Sequence, residues 1–325
     1  MSYLDPRAGQ TSGDDTSVPA YPNRAWHADE QAPPSEPARR GPGRRRAGRG
    51  RSPEQGKSRA GRNLPAAIAV GLSLGLVVLA ALLVWPPALL GVVVVAAGVG
   101  VWETARALSV TGARPPLIPL IAGTAVMTGL AWYEGADALT LGLLATIGAA
   151  ALWRLADGTR AVRRDFTAIT LISVYVPFLL SFAAMLVRPD DGQWRVLATV
   201  VAVVLSDTGG YAAGVFLGKH PMAPRISPKK SWEGFAGSVT AAAIGSGALL
   251  FFLMEIPVYY GLLFGAVISV VAVLGDLAES MLKRDLGVKD MSNLLPGHGG
   301  LMDRLDSILF AVPTAYLLFA IIAPN

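Results

Sequence analysis

The sequence predicts an all-α, polytopic transmembrane bundle of about nine helices, on three observations. Of its 325 residues, 52% are hydrophobic and only 16% charged, too apolar a balance for a soluble domain of this length. From Leu64 onward apolar runs recur, each long enough at ~1.5 Å per residue to cross a hydrocarbon core of about 30 Å. Finally, lysine and arginine gather on one side of the topology that those runs define.

Residues 1–62 stand apart from the rest. They carry twelve Lys/Arg against seven Asp/Glu, densest in the run Arg39 to Arg51 (RRGPGRRRAGRGR), and are rich in Pro, Gly and Ser. A stretch with so few apolar side chains does not offset its own chain entropy, so it is expected to be a disordered cytoplasmic tail. A basic tail next to a membrane reads most simply as a solvated topology signal, and no nucleic-acid partner is expected. About 60 polar residues precede the first apolar run, which argues against a cleaved signal peptide and for retention of the first helix. Residues 63–325 then form the membrane domain. Cysteine is absent, which excludes disulfides, thiolate metal sites, Fe–S clusters and cysteine nucleophiles.

Apolar runs read against breakers and charges place spans near 64–85, 87–104, 116–133, 137–154, 166–188, 195–217, 235–254, 258–282 and 304–322. Trp85-Pro86-Pro87 leaves room only for a tight turn between the first two. With the basic tail in the cytoplasm and the spans alternating from there, 26 of the 28 Lys/Arg are cytoplasmic and only Arg188 and Arg195 lie outside. A wrong count of crossings would scramble this bias, which predicts a cytoplasmic N-terminus; the richness in Ala, Arg, Gly and Pro is of the kind associated with a high-GC bacterium, whose inner membrane is the expected location.

Ionisable side chains within such spans cost on the order of 2.5–3.5 kcal/mol each and need an explanation. In the sixth span, Leu205-Ser-Asp-Thr-Gly-Gly-Tyr211 sets Asp207 about ten residues, or ~15 Å of helix, from the cytoplasmic end. Two explanations stay open: a polar cavity, or a packing role beside Gly210 and Gly214. The eighth span ends Leu274-Gly-Asp276-Leu-Ala-Glu279-Ser280-Met-Leu-Lys283, whose spacings put Asp276, Glu279, Ser280 and Lys283 on one helical face. A salt-bridged helix end near the headgroups would look the same.

The next segment, Pro296-Gly-His298-Gly-Gly300-Leu-Met-Asp303-Arg304-Leu-Asp306, puts glycines and two acids at the start of the ninth span. Glycines let backbone N–H groups approach an anion closely, and a helix N-terminus adds partial positive charge. Carboxylates alone repel a triphosphate, so Asp276, Asp303 and Asp207 in one cavity make sense around a divalent cation. Ser227-Pro-Lys229-Lys230-Ser231-Trp-Glu-Gly234 adds two lysines and hydroxyls suited to phosphate, though paired lysines beside a span are also ordinary topology signals. His298 is a metal ligand, a proton donor or a loop brace; its position between glycines does not decide among them.

Together these residues resemble a known family. Ser280-x-Leu-Lys283-Arg284, then Lys289-Asp290-x-Ser292-x-x-Leu-Pro296-x-His298-Gly-Gly300-Leu-x-Asp303-Arg304-Leu-Asp306, resembles the phosphatidate cytidylyltransferase (CDP-diacylglycerol synthase) signature over 27 residues without a gap. Ser227 to Gly234 and Ser206 to Tyr211 are similar to the family's other polar segments, with Ser231 where many relatives carry threonine. The resemblance covers roughly residues 64–325. It implies a membrane enzyme, usually a homodimer, that converts CTP and phosphatidic acid into CDP-diacylglycerol and pyrophosphate with Mg²⁺ and a second cation such as K⁺. It further implies Asp276 and Asp303 as metal carboxylates and Asp207 as a cavity residue needed for activity. Lys229, Lys230, Lys283 and Arg304 correspond to the phosphate-facing cations, and Ser227, Ser231 and Lys289 join the expected nucleotide contacts. Two other readings keep part of the pattern: a CTP-dependent polyprenol kinase or related CDP-lipid synthase, and a secondary transporter with buried carboxylates. The absence of a convincing internal repeat and the crowding of charge in the C-terminal third favour an interfacial enzyme.

Overall fold

The computed structural model describes residues 64–158, 162–292, 294–295 and 299–324. The predicted tail and His298 lie outside the described residues. The elements run α1 (Leu64–Val84), α2 (Ala88–Leu108) with a short 3-10 turn (Ser109–Thr111), α3 (Leu117–Tyr133), α4 (Ala136–Ala156), α5 (Val162–Ser173), a π turn (Val174–Phe178) and α6 (Leu179–Val187). They continue through α7 (Gly192–Leu217), strands β1 (Pro221–Ala223) and β2 (Ser227–Ser231), α8 (Trp232–Met254), α9 (Val258–Asp285) and α10 (Met302–Ile322).

Among the described residues seven helical stretches are long and apolar enough to cross a membrane; the apolar helices at Gly71–Val84 and Leu117–Tyr133 are shorter. They coincide with the first and third expected spans. The turn expected at Trp85-Pro86-Pro87 is present, with Ala88 N donating to Trp85 O at 2.8 Å. α5, the π turn and α6 form one span, Arg163–Val187. Pro177 lies within the π turn, where its missing N–H and ring bulk widen the hydrogen-bond ladder locally instead of ending the helix. Apolar side chains such as Val95 (66% exposed), Leu152 (69%) and Phe252 (77%) point outward, as lipid-facing positions do and a water-facing surface of this extent does not.

The C-terminal helices pack in sequence, α7 on α8, α8 on α9 and α9 on α10. Small residues make these crossings close. A Cβ on Gly209 would lie 2.5 Å from Ala241 Cβ and 2.7 Å from Gly237 O, and one on Gly275 would lie 2.5 Å from Asp306 O. Lipid offers no hydrophobic drive for helix association, so such seams rely on close packing and interhelical hydrogen bonds. Ser206 supplies two such hydrogen bonds: its Oγ is 2.8 Å from Ser269 Oγ on α9, and its carbonyl accepts from Ser238 Oγ on α8 at 2.8 Å.

One feature departs from an all-helical reading. The lysine-bearing segment between α7 and α8 is an antiparallel hairpin, β1 on β2, turning through Ala223-Pro-Arg-Ile226 with Ile226 N donating to Ala223 O at 3.1 Å. Proline at the second turn position has its φ preset for such a reversal. Because a Cβ at Gly209 meets backbone, Gly209→Val is expected to destabilise the protein by about 1–3 kcal/mol through overpacking. Gly129→Val, where a Cβ meets nothing within 4 Å, is the control. Thermal unfolding in detergent should show a lower midpoint for the first variant only.

Candidate functional site

The last turns of α9 carry out the periodicity read from sequence. Ser280 Oγ donates to Asp276 Oδ1 at 3.3 Å, and Lys283 Nζ stands 3.6 Å from Glu279 Oε1. Both are i, i+4 contacts along one face. Lys283 also leaves its own helix, donating to Asp303 Oδ1 on α10 at 2.8 Å. Asp303 Oδ2 accepts from Gly300 N at 2.7 Å and Met291 N at 3.2 Å. With 7% of its side chain exposed, Asp303 thereby ties the end of α9, the intervening loop and the start of α10 together. Glu279 is fully buried, and the Lys283 ammonium is its nearby counter-charge.

The hairpin closes over the same helix. Lys230 Nζ lies 2.5 Å from Asp276 Oδ2 and 3.5 Å from Val273 O. Side chains alternate along a strand, and Lys229 accordingly falls on the opposite, exposed side of β2. The structure thus separates two lysines that looked like a pair. Ser231 Oγ accepts Gly234 N at 3.1 Å and caps α8, a local role that needs no ligand. Glu233 braces the hairpin's base, accepting from Lys219 N, His220 N and His220 Nδ1. Arg284 Nε donates to Ile226 O at 3.3 Å. Ser227 opens β2, and Lys289 is exposed in the loop after α9.

A cavity of about 260 Å³ brings the rest together. Asp207, Asp276, Asp290, Asp303 and Asp306 line it with Lys283, Arg304 and Ser307. Asp207 is therefore a cavity residue, while Gly210 belongs to the α7–α8 seam, where a Cβ would press on Ser238. Two larger cavities, about 590 Å³ beside Arg163 and about 610 Å³ beside Arg188, contain none of the polar segments singled out above. The site sits where α7 and α9 end and α8 and α10 begin, the side to which the sequence assigns most of the positive charge.

Five acids against two bases leave the cavity lining with a formal excess of negative charge. Its donors are hard oxygens, the type that Mg²⁺ and K⁺ take, so the residue types suit a cation in chemistry. Among the described residues no group of three ligands converges at metal-binding geometry. Lys230 and Lys283 instead hold Asp276 and Asp303.

Sequence reasoning undervalued three residues. Asp306 and Asp290 share the cavity, and the three-residue step from Asp303 to Asp306 on one helix carried the signal for the first. Glu103 on α2 is fully buried and accepts Leu301 N, Met302 N and Ser292 Oγ. A lone carboxylate within an apolar span was the available sign.

Residues 65–322 match the model of the Cytidylyltransferase family, and the chain belongs to that family. It is 41% identical over 303 residues to the phosphatidate cytidylyltransferase of Mycobacterium bovis, covering 89% of this chain and 96% of the relative. The Mycobacterium leprae phosphatidate cytidylyltransferase is 43% identical over 285 residues, 81% of this chain and 90% of the relative. A phosphatidate cytidylyltransferase of Bacillus subtilis is 41% identical over 157 residues, 47% of this chain and 58% of the relative.

Removing one partner of a buried ion pair costs about 3–5 kcal/mol because the other charge is stranded. Lys283→Met should approach that loss, since it takes one ammonium away from both the Glu279 and the Asp303 carboxyl groups. Adding Glu279→Gln should recover part of it. Unfolding midpoints of the single and double variants in detergent measure the coupling, and strictly additive losses would contradict it.

Proposed function

We propose that the protein is an integral-membrane phosphatidate cytidylyltransferase, joining CTP to phosphatidic acid to give CDP-diacylglycerol and pyrophosphate. The observation that carries this reading is the cavity itself. Acids and bases from α7, α9 and α10 meet there at the end of apolar helices, with Lys230 of the hairpin bonded to one of those acids. An interfacial site of this kind is where a lipid headgroup and a soluble nucleotide meet. Membership in the family and the names of the mycobacterial relatives support the same reaction. We further propose a homodimer, as the family resemblance implies, in the bacterial inner membrane; the one-sided distribution of 26 of 28 Lys/Arg supports placing the basic N-terminus in the cytoplasm.

Both reactants are anions, so neutralisation and alignment are the main catalytic task. The lipid phosphate is already a competent nucleophile near neutral pH, a monoester's second ionisation lying at about 6, and no strong general base is required. One phosphate oxygen attacks the α-phosphorus of CTP in line, and pyrophosphate departs. Lys230 and the exposed Lys229 bind the triphosphate, with Lys289, Ser227 and Ser231 at the nucleotide's edge. A phosphate that takes up the Lys230 ammonium sits beside Asp276, whose carboxylate Lys230 now contacts at 2.5 Å. Lys283 and Arg304 fix the lipid phosphate, and Asp207 keeps the deep wall of the cavity polar. Mg²⁺ held by Asp276 and Asp303, with a second cation such as K⁺ nearby, would neutralise phosphate charge as the bond to pyrophosphate breaks. His298, in the same signature, is assigned to the phosphates by its place in that motif alone.

A detergent-solubilised assay with CTP, dCTP or ATP and phosphatidic acid, with Mg²⁺ or EDTA, tests the assignment. The expected product is CDP-diacylglycerol, formed from CTP and lost with EDTA; a phosphorylated lipid alcohol would point instead to a kinase. Asp303→Asn should lower kcat by about 10³-fold or more, in the range seen when a group that stabilises transition-state charge is removed. Membrane insertion should be unchanged. Lys229→Ala should raise the KM for CTP with a smaller effect on kcat, and an unchanged KM would take Lys229 out of the nucleotide site.

A further inference from the structure

Three consecutive backbone amides open α10, and two carboxylates accept all of them. Gly300 N donates to Asp303 Oδ2 at 2.7 Å, Leu301 N to Glu103 Oε1 at 2.9 Å, and Met302 N to Glu103 Oε2 at 2.7 Å. The first N–H groups of a helix have no partner within it and carry its positive partial charge, so a carboxylate there is bound by hydrogen bonds and by the dipole together. Glu103 comes from α2, nearly two hundred residues away in sequence, and is 0% exposed. It also accepts from Ser292 Oγ at 2.5 Å, and Ser292 Oγ in turn accepts Leu294 N at 3.1 Å. One buried carboxylate therefore holds both ends of the segment from Ser292 to Leu301.

The surroundings leave little freedom for that carboxylate. A Cβ on Gly300 would lie 2.9 and 3.0 Å from the two Glu103 oxygens and 3.1 Å from Asp303 Oδ2, so glycine is what allows Glu103 and Asp303 to close on the same backbone. One turn earlier on α2, a Cβ on Gly100 would lie 2.9 Å from Met302 Sδ and 2.9 Å from Val176 Cγ1 of the π turn. Met302 is completely buried at that junction. α2 therefore fixes the rotation and height of the first turn of α10. Asp303, Arg304 and Asp306 all leave from that turn into the cavity.

We propose that Glu103 is a positioning residue for nucleotidyl transfer, aiming Asp303 and Asp306 by clamping the N-terminus of α10 without touching substrate. The proposal rests on the reading that the Asp303 cavity is where the reaction occurs. The chemistry of the clamp is specific to a carboxylate. Glu103 offers acceptors to three donors, whereas glutamine has one carbonyl oxygen and an NH₂ that would face backbone N–H groups. Aspartate keeps the acceptors but is one methylene shorter.

The test compares the full-length wild type with Glu103→Gln, Glu103→Asp and Ser292→Ala in detergent, following steady-state kinetics and hydrogen exchange of peptides spanning 291–305. Misaiming groups at a reacting centre costs about 10–100-fold in activity. Glu103→Gln should show that loss mainly in kcat, with the KM for CTP moving much less. Glu103→Asp should recover part of it. Exchange in 291–305 should rise while peptides of α8 are unchanged, a combination that general destabilisation does not give. Ser292→Ala keeps both amide bonds to Glu103 and should lose less, and it carries the test together with Glu103→Asp if Glu103→Gln does not fold. Wild-type kcat in the folded variants, or a loss that follows only a uniform rise in exchange, would overturn the proposal. A wild type with no CTP-dependent transfer would overturn the activity reading instead, while the local exchange response would still report whether Glu103 clamps α10.

Discussion

The bond from Lys283 to Asp303, 2.8 Å from ammonium to carboxylate, is the contact on which the rest of the site depends. It joins two helices at the membrane face, where neither charge has bulk water enough to stand alone. Around it, Glu279 lies beneath Lys283, and Asp303 uses its second oxygen to hold the loop between the helices. An apolar bundle tolerates Asp303 because an ammonium and two backbone N–H groups bond its carboxylate; Glu279 has the longer contact to Lys283, at 3.6 Å. Asp303 reaches the cavity in this way, whereas Glu279 stays fully buried behind Lys283.

The fold serves that arrangement through close helix crossings. Gly209 and Gly237 let α7 and α8 approach at backbone distance, and Gly275 lets α9 lie against the carbonyl of Asp306. Each crossing fixes the height of one charged group relative to the next, so packing in the hydrocarbon region sets the geometry of chemistry at its edge. The hairpin adds a different kind of element. Held by Glu233 at its base and by Arg284 at its turn, it carries Lys230 to Asp276 while leaving Lys229 exposed. The cavity is thus lined from α7, α9, α10 and the loop after α9, with the hairpin docked on one of its acids through Lys230.

Some of this was legible in the sequence and some was not, for identifiable reasons. The α9 face was readable because periodicity alone brings Asp276, Glu279, Ser280 and Lys283 together, and their contacts are local. Spans bounded by prolines and charges were readable for the same reason, although Leu117–Tyr133 is shorter than the membrane-crossing helices beside it. The hairpin was not, since three- and five-residue strands give too little alternation to detect between two long helices. That cost the distinction between Lys229 and Lys230. Glu103 escaped because its partners, Leu301 and Met302, are reached only once α2 and α10 are packed; no local pattern encodes such a contact.

The central claim is that a nucleoside triphosphate enters the cavity between the hairpin and the ends of α9 and α10. Photolabelling with an azido analogue of CTP, followed by peptide mapping, tests it most directly. The account predicts CTP-protected labelling confined to 219–234 and 276–307. Protected labelling at 188–195, on the opposite face, or none at either place, would contradict it.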